Sequence, residues 1–191
     1  MRKNIFWKHT GEPLKLHLGC GKRKIPNFVN IDIVDAAHVD ICHEVDKLPF
    51  PDNTASLIYV SHVLEHFGRF EVEDVLREWR RVLVQGGVLR LAVPDFAAVV
   101  EMYSTEGLKD GLSGLVGLVC GGQRNAYDFH KLIFDEPFLT HLLRKVGFSE
   151  VRRWDWRTTE HAHIDDFSQA YLPHMDKDKG RLMSLNMEAV K

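Results

Sequence analysis

Short apolar runs alternate with helical patterns along this chain, and no other feature constrains the fold as much. Four runs, at residues 14–18, 28–33, 57–61 and 88–93, are each short enough to form a buried strand. Between the third and fourth runs, apolar residues recur at the three- and four-residue steps of one buried helical face: Val72, Val75, Leu76, Trp79, Val82 and Leu83. This order predicts an α/β fold in which helices cover a mostly parallel sheet.

Charge and glycine mark the ends of this helix. Acidic residues lie in its first turn, and Arg80 and Arg81 lie near its end, as the helix dipole favours. We expect Gly86 and Gly87 to stop the helix before the next strand begins. The strand, helix and strand then form a right-handed crossover between parallel strands.

A second helix has clear signals at both ends. Asp135 or Glu136 would cap its N-terminus, and Pro137 lies in its first turn. Gly147 follows the last apolar position of the pattern, where it would stop the helix. The sequence therefore predicts a helix between Asp135 and Gly147.

The remaining C-terminal sequence predicts strands and loops. Residues 148–156 alternate like a strand, and residues 184–190 predict a closing strand that forms a terminal hairpin with it. The glycine-rich residues 107–122 and the polar residues 157–180 have no helical or strand period. We expect both to be loops near a site, since binding and catalytic residues concentrate on loops.

Composition places the chain among ordinary globular proteins. Its 191 residues fit one domain, residues 1–191, and its formal net charge of −2 offers no strong field to attract nucleic acid. No apolar stretch approaches the roughly 18 residues that a membrane-spanning helix needs, so we expect a cytoplasmic protein without membrane partners. Cys20, Cys42 and Cys120 contain no CxxC pair, which argues against a disulfide framework and a cysteine zinc site.

The first strand runs directly into two glycines. In Gly19-Cys20-Gly21 the missing side chains let a ligand approach the backbone closely. At the end of the second strand, Asp32 is placed to accept hydrogen bonds from the two hydroxyls of a ribose. Together they predict a nucleoside ligand. The alternatives are a tight turn at the glycines and a turn cap at Asp32.

The spacing after the glycines selects among nucleosides. A dinucleotide site places its pyrophosphate at the N-terminus of a full crossover helix, with the acid about 20 residues further on. The interval from Gly21 to Phe28 leaves room for at most a turn or two of helix. The sequence therefore predicts a shortened first crossover helix and disfavours NAD. S-adenosylmethionine has a ribose and an adenine but no phosphate, so it still fits a short glycine loop without a phosphate-binding helix.

Five blocks of sequence, taken in order, resemble the class I S-adenosylmethionine-dependent methyltransferases. The resemblance is greatest to the small bacterial type found beside sugar and cell-envelope biosynthesis enzymes. It implies a Rossmann-like sandwich, a mostly parallel sheet with an antiparallel C-terminal strand, S-adenosylmethionine as cofactor and a small-molecule methyl acceptor. The blocks are Leu16 to Gly21, Asn30 to Asp32, Leu48 to Asp52, His62 to His66 and Leu76 to Leu83.

The resemblance also implies the cofactor contacts. Asp32 would hold the ribose, and the strand ending at Ser61 and His62 would pass under the sulfonium. Glu44, with Val45 beside it, would face the adenine amino group, and Asp46 and Asp40 are the alternatives to Glu44. The methionine part would lie on the loop after the first strand, at Leu18, Gly19, Cys20 and Gly21.

Two alternatives keep the fold but change the activity. The third glycine usual in the family's loop is absent, so a cofactor-binding protein without catalysis is one alternative. The other is a module that only holds a partner, for which the sequence gives no positive sign.

A zinc hydrolase is the competing enzyme class. His62-Val63-Leu64-Glu65-His66 satisfies H-x-x-E-H, in which two histidines four apart on a helix bind zinc and the glutamate acts as base. That site needs the whole pentapeptide inside a helix, whereas a strand pattern runs straight into it. We therefore assign no metal ligands here. His161 and His163, with nearby aspartates, could attract a metal but favour ordinary loop structure.

Methyl transfer from a sulfonium is an in-line displacement, so the main task of the protein is alignment and exclusion of water. A hydroxyl acceptor would also need a base, for which a histidine with a pKa near 6.5 is suited. His62 and His130 are the candidate catalytic residues, followed by Asp95 at the end of the fourth apolar run.

Overall fold

The computed structural model describes residues 11–105 and 111–191 and is built around a seven-stranded sheet. The strands in this sheet lie in the order β3-β2-β1-β4-β5-β9-β6, and a separate ribbon pairs β7 with β8. The strands are β1 Leu14–Leu18, β2 Val29–Asp32, β3 Ile41–Cys42, β4 Ala55–Ser61, β5 Leu83–Pro94, β6 Ser149–Arg153, β7 Tyr171–Leu172, β8 Arg181–Leu182 and β9 Ser184–Val190. The predicted α/β fold with a mostly parallel sheet is confirmed.

Four parallel strands at the centre end at one edge. Leu18 at the end of β1 lies opposite Ile31 in β2 and opposite Val60 in β4. Ser61 at the end of β4 lies opposite Ala92, close to the end of β5. The residues that follow β1, β2, β4 and β5 therefore gather at the carboxyl edge of the sheet, where ligands of open α/β sheets bind.

The closing strand is antiparallel, as predicted. In β9, Val190 pairs with Val88 of β5, and its other side pairs with β6, where Ser149 faces the same Val190. The connection from β6 to β9 is not a tight hairpin. It contains the β7–β8 ribbon and the short 3-10 helices Trp156–Thr158 and Phe167–Gln169, so the loop predicted over 157–180 includes short regular segments.

Four α-helices accompany the sheet in the described ranges. The predicted cap of α4 is confirmed, because the Asp135 side chain accepts a hydrogen bond from the backbone N–H of Phe138 at 2.9 Å. Part of the loop predicted over 107–122 is helical, and residues 107–110 of that prediction lie outside the described residues. The helices are α1 Val72–Val82, α2 Phe96–Thr105, α3 Val116–Cys120 and α4 Glu136–Lys145.

Helix α1 ends earlier than the glycines suggest. Leu83, which fits the helical period, is extended and pairs with Ala55 of β4, so β5 begins there and runs through Gly86 and Gly87. Pairing with the neighbouring strand, which the local pattern does not reveal, decides the boundary. The prediction that Gly86-Gly87 stops the helix is therefore wrong.

The two faces of the sheet are covered differently. Helices α1 and α4 pack on one face and supply much of the main core, including the fully buried Trp79 and Leu139. On the other face, Tyr59 of β4 contacts Trp154 and His161 from the long connection before β9, with ring centroids 6.1 and 4.2 Å apart. The Tyr59 hydroxyl donates to the Asp166 carboxylate at 2.6 Å. The long connection thus covers a face that would otherwise be open.

The described residues include no helix long and apolar enough to cross a membrane. Between β1 and β2 the chain makes turns and no helix. The predicted shortening of the first crossover helix is therefore confirmed, because this connection contains no helix at all.

Burial of His161 predicts acid sensitivity. Its ring is 3% exposed between Tyr59 and Phe28, and this desolvation lowers its pKa to about 4, below the ordinary 6.5. Since the folded protein takes up the proton less readily than the unfolded chain, the stabilisation is complete above pH 6.5 and is lost as pH falls toward 4. The unfolding free energy of the wild type should therefore fall between pH 7.5 and pH 5.0. In His161→Phe we expect this fall to be smaller by roughly 2 kcal/mol, measured by urea titration.

The exposed His163 provides the matched control, because His163→Phe should keep the wild-type pH dependence. Equal pH dependence in the wild type and in His161→Phe would show that His161 titrates normally in the folded state.

Candidate active site

The loop after β1 requires glycine at its first position. Gly19 has a φ of +62°, and a Cβ there would collide with the Val63 side chain. Gly21 has a φ of +53°, but a Cβ there would meet nothing within 4 Å. Gly19 therefore lets the loop pack against the segment after β4, whereas Gly21 leaves open space at the carboxyl edge.

Asp32 ties the ends of β1 and β2 together. Its Oδ2 accepts a hydrogen bond from the Gly21 backbone N–H at 2.7 Å, and its Oδ1 accepts one from the Val34 N–H at 2.9 Å. The side chain is anchored, yet each carboxylate oxygen has a second lone pair with which to accept another donor. A pair of ligand hydroxyls is the kind of donor that such a carboxylate binds.

The chemistry of this edge fits a nucleoside without phosphate. No helix in the described structure begins between β1 and β2, so the glycine loop does not lead into a helix N-terminus that would stabilise a phosphate. Instead the Asp32 carboxylate lies against Gly21, where it would repel an anion. The residues present therefore fit the ribose and amino-acid parts of S-adenosylmethionine better than a pyrophosphate.

The predicted adenine contacts lie after β3. Glu44 is exposed, and the Val45 carbonyl accepts a hydrogen bond from Trp79 Nε1 at 2.8 Å, which fixes this turn against α1. Asp40 accepts hydrogen bonds from the backbone N–H and the Nδ2 of Asn30, at 2.9 and 3.0 Å. Because these bonds hold Asp40 in the fold, Glu44 stays the first choice for the adenine amino group.

His62 follows β4 in a strained conformation. Its φ is +55°, and its ring lies between the Ser184 hydroxyl, 3.1 Å from Nε2, and the Glu65 carboxylate, 3.3 Å from Nδ1. Phe167, which is 63% exposed, approaches it with a centroid distance of 5.3 Å. Burial and the neighbouring His130 and His66 lower the pKa of His62 to about 3, so in this conformation it is a weak base.

The H-x-x-E-H segment does not form one helix. Only Leu64–His66 is helical, as a single 3-10 turn, so the geometry needed for the zinc hydrolase site is absent from the described residues 62–66. The side chains nevertheless meet. His130 Nε2 lies 3.9 Å from Glu65 Oε1, and the rings of His66 and His130 are 5.1 Å apart.

The third candidate base has a structural role. Asp95 Oδ1 accepts a hydrogen bond from the Ala97 N–H at 3.0 Å at the start of α2, and its Oδ2 lies 3.7 Å from Arg153. The structure therefore brings His62 and His130 together around Glu65, and it places Asp95 against α2 and β6. Their catalytic roles stay predictions.

Sequence reasoning assigned no role to Val63 or Phe167 at this edge, and it missed one long-range contact. Val63 packs on Gly19, Phe167 lies beside His62, and Glu65 and His66 meet His130 from across the chain. The H-x-x-E-H pattern drew attention to Glu65, but no local signal joins it to His130. His161 and His163 do not take part in the His and carboxylate group that the described structure brings within ligand distance.

A family model and several solved structures point to a methyltransferase. Residues 16–91 match the family model described as a methyltransferase domain, and a search of curated protein sequences found no significant match. The matched segment runs from β1 to β5 and contains the glycine loop, Asp32 and His62.

Solved structures resemble the chain along nearly its whole length. A SAM-dependent methyltransferase from Archaeoglobus fulgidus is 13% identical with a TM-score of 0.56, covering 96% of this chain and 88% of that one. A 1,6-didemethyltoxoflavin-N1-methyltransferase from Burkholderia thailandensis, with its substrate and S-adenosylhomocysteine bound, is 16% identical with a TM-score of 0.53, covering 96% and 73%. A chain solved in complex with the Trm112 methyltransferase activator of Haloferax volcanii is 13% identical with a TM-score of 0.54, covering 93% and 81%.

At these identities the structural likeness shows the fold, which is the Rossmann-like sandwich of class I methyltransferases. The match of residues 16–91 to a methyltransferase domain points to methyl transfer. Together they support an S-adenosylmethionine-dependent methyltransferase, with S-adenosylmethionine as the cofactor.

The two loop glycines should respond differently to the same change. Gly19→Ala forces a side chain into a left-handed backbone conformation and also makes it collide with Val63. Gly21→Ala has only the backbone strain, about 1–2 kcal/mol. We expect Gly19→Ala to lose clearly more unfolding free energy than Gly21→Ala, measured by urea titration at pH 7.5. Equal losses would show that the loop does not pack on Val63.

Proposed function

We propose that this protein transfers a methyl group from S-adenosylmethionine to a small-molecule acceptor bound at the carboxyl edge of the sheet. The observation that carries the proposal is the helix-free loop from Gly19 to Gly21, joined to the Asp32 carboxylate. The loop lets a ligand approach the backbone closely, and the Asp32 carboxylate can accept hydrogen bonds from a ribose. S-adenosylmethionine has a ribose and no phosphate, so it needs both features and no phosphate site.

The cofactor contacts follow from this placement. The methionine part would lie along residues 18–21, the ribose hydroxyls would donate to Asp32, and Glu44 and Val45 would border the adenine. Ser61 and His62 would lie under the sulfonium of the cofactor. S-adenosylmethionine supplies a methyl group on a sulfonium, which an acceptor attacks in line.

The acceptor would lie beyond β4 and β5. Phe167 offers an exposed aromatic face beside His62, and a narrow apolar crevice at the end of β5 is lined by Pro94, Phe96 and Leu132 among others. Apolar side chains with a few polar groups beside them are the usual lining of a small-molecule site. The resemblance to enzymes of sugar and cell-envelope synthesis makes a hydroxyl of such a precursor our choice of acceptor.

Alignment would supply most of the rate enhancement. Burial lowers the pKa values of both His62 and His130, and Asp95 caps α2, so no strong general base stands at the edge of the described structure. Holding the acceptor oxygen, the methyl and the sulfur in line removes much of the entropic barrier without proton transfer. In this proposal the strained His62 and Phe167 position the acceptor.

Calorimetric titration with four ligands tests the cofactor. We expect S-adenosylmethionine and S-adenosylhomocysteine to bind, and NAD and ATP to bind far more weakly, because the loop lacks a phosphate-binding helix. Equal or tighter binding of NAD would contradict the proposal, and binding of none of the four would favour a module that only holds a partner.

Replacing Asp32 tests the ribose contact. Asp32→Ala should weaken S-adenosylhomocysteine binding by roughly 1.5–3 kcal/mol, as expected when hydrogen bonds to a charged acceptor are lost. The exposed Asp35 gives the matched control, since Asp35→Ala should bind like the wild type. Circular dichroism checks that both variants are folded. An unchanged dissociation constant in folded Asp32→Ala would place the ribose elsewhere.

Labelled cofactor tests the acceptor class. We expect radioactive methyl from S-adenosylmethionine to enter the small-molecule fraction of a cell extract, with transfer reduced in His62→Ala more than cofactor binding. Labelling confined to protein or nucleic acid would contradict a small-molecule acceptor. Transfer that appears only after adding a Trm112-type activator would point to a partner-dependent enzyme.

A further inference from the structure

We infer that Glu65, His66 and His130 form a binding site for a divalent transition metal ion of the zinc class. One ligand atom from each of the three residues lies within 4.8 Å of those from the other two. Ligand bonds to zinc are about 2.0–2.2 Å, so an ion at the centre would draw these atoms together by about 1 Å, which side-chain rotation can supply. The inference is independent of the proposed methyl transfer.

The two histidines are oriented for metal binding by backbone carbonyls. His66 Nδ1 lies 3.0 Å from the Phe129 carbonyl oxygen, and His130 Nδ1 lies 3.0 Å from the Leu118 carbonyl oxygen. A carbonyl only accepts, so each Nδ1 must carry the proton when the ring is neutral. Each Nε2 then presents a lone pair, which is the arrangement seen around histidines that bind metals.

The Glu65 carboxylate between them has no hydrogen-bond partner in the described structure, and His62 Nδ1 lies 3.3 Å from its Oε1. Glu65 is fully buried, and neither of its oxygens has a hydrogen-bond partner among the described residues. A buried, unpaired carboxylate destabilises a fold unless it is neutralised or paired with a cation. A divalent ion held with His66 and His130 would supply that partner.

The backbone holds the site together before any ion binds. The Glu65 carbonyl accepts hydrogen bonds from the N–H groups of Lys131 and Leu132, at 2.8 and 3.2 Å. These bonds fix the segment carrying His130 against the 3-10 turn carrying Glu65 and His66. The three ligands therefore come from two segments already joined, and binding requires no large rearrangement.

This site differs from the H-x-x-E-H hydrolase arrangement. In that arrangement two histidines on one helix are ligands and the glutamate is a base. Here Glu65 is itself a ligand, His130 is the second histidine ligand, and His62 stays outside with Nδ1 3.3 Å from Glu65. A set of two imidazoles and one carboxylate leaves coordination positions open and suits zinc or iron(II) rather than magnesium.

Titration of metal-free protein with Zn²⁺ tests the inference. After dialysis against chelator, we expect one Zn²⁺ per chain to bind the full-length protein, a higher melting temperature in the loaded form, and no comparable response to Mg²⁺. Hydrogen exchange at Lys131 and Leu132 should slow when Zn²⁺ is present. Absence of stoichiometric Zn²⁺ binding to the wild type would overturn the inference.

Variants locate the ion. His66→Ala, His130→Ala and the nearly isosteric Glu65→Gln should each reduce Zn²⁺ affinity by at least about 100-fold, more than loss of an outer partner would. His141→Ala, which removes an exposed histidine on α4, should bind like the wild type. Wild-type affinity in folded Glu65→Gln would show that the ion lies elsewhere, and so would an equal loss in His141→Ala.

Discussion

Parallel pairing of β1, β2, β4 and β5 is the constraint on which the rest of this structure depends. Because these strands run in one direction, the residues after each of them reach the same edge of the sheet. Gly19, Asp32 and His62 are separated in the sequence, but strand register brings them to the same edge of the sheet. A shift of one strand would break the contacts between the glycine loop, Asp32 and Val63 together.

The carboxyl edge divides into two chemically different parts. On the β1–β2 side, Asp32 is anchored by two backbone N–H groups and presents an anionic acceptor near the Gly21 opening. On the β4 side, three imidazole rings surround a buried carboxyl group, and burial raises the pKa of Glu65 to about 8. The first part suits nucleoside hydroxyls, and the second suits a cation.

The sequence predicts most of the sheet and only part of the site. The runs at β1, β2, β4 and β5, the buried face of α1 and the Asp135 cap are local patterns, and the structure confirms them. The end of α1 depends on the pairing of Leu83 with Ala55, which no local pattern carries. Likewise Glu65 meets His130 only because Lys131 and Leu132 hydrogen bond to the Glu65 carbonyl, a long-range contact.

A structure of the protein crystallised with S-adenosylhomocysteine tests the central claim most directly. The account predicts the ribose hydroxyls within hydrogen-bond distance of the Asp32 carboxylate, with the amino-acid part along residues 18–21. The sulfur should face the side of the edge that carries His62 and Phe167. A ligand bound away from Asp32, or a ribose held by other residues while Asp32 keeps only its bonds to Gly21 and Val34, would contradict it.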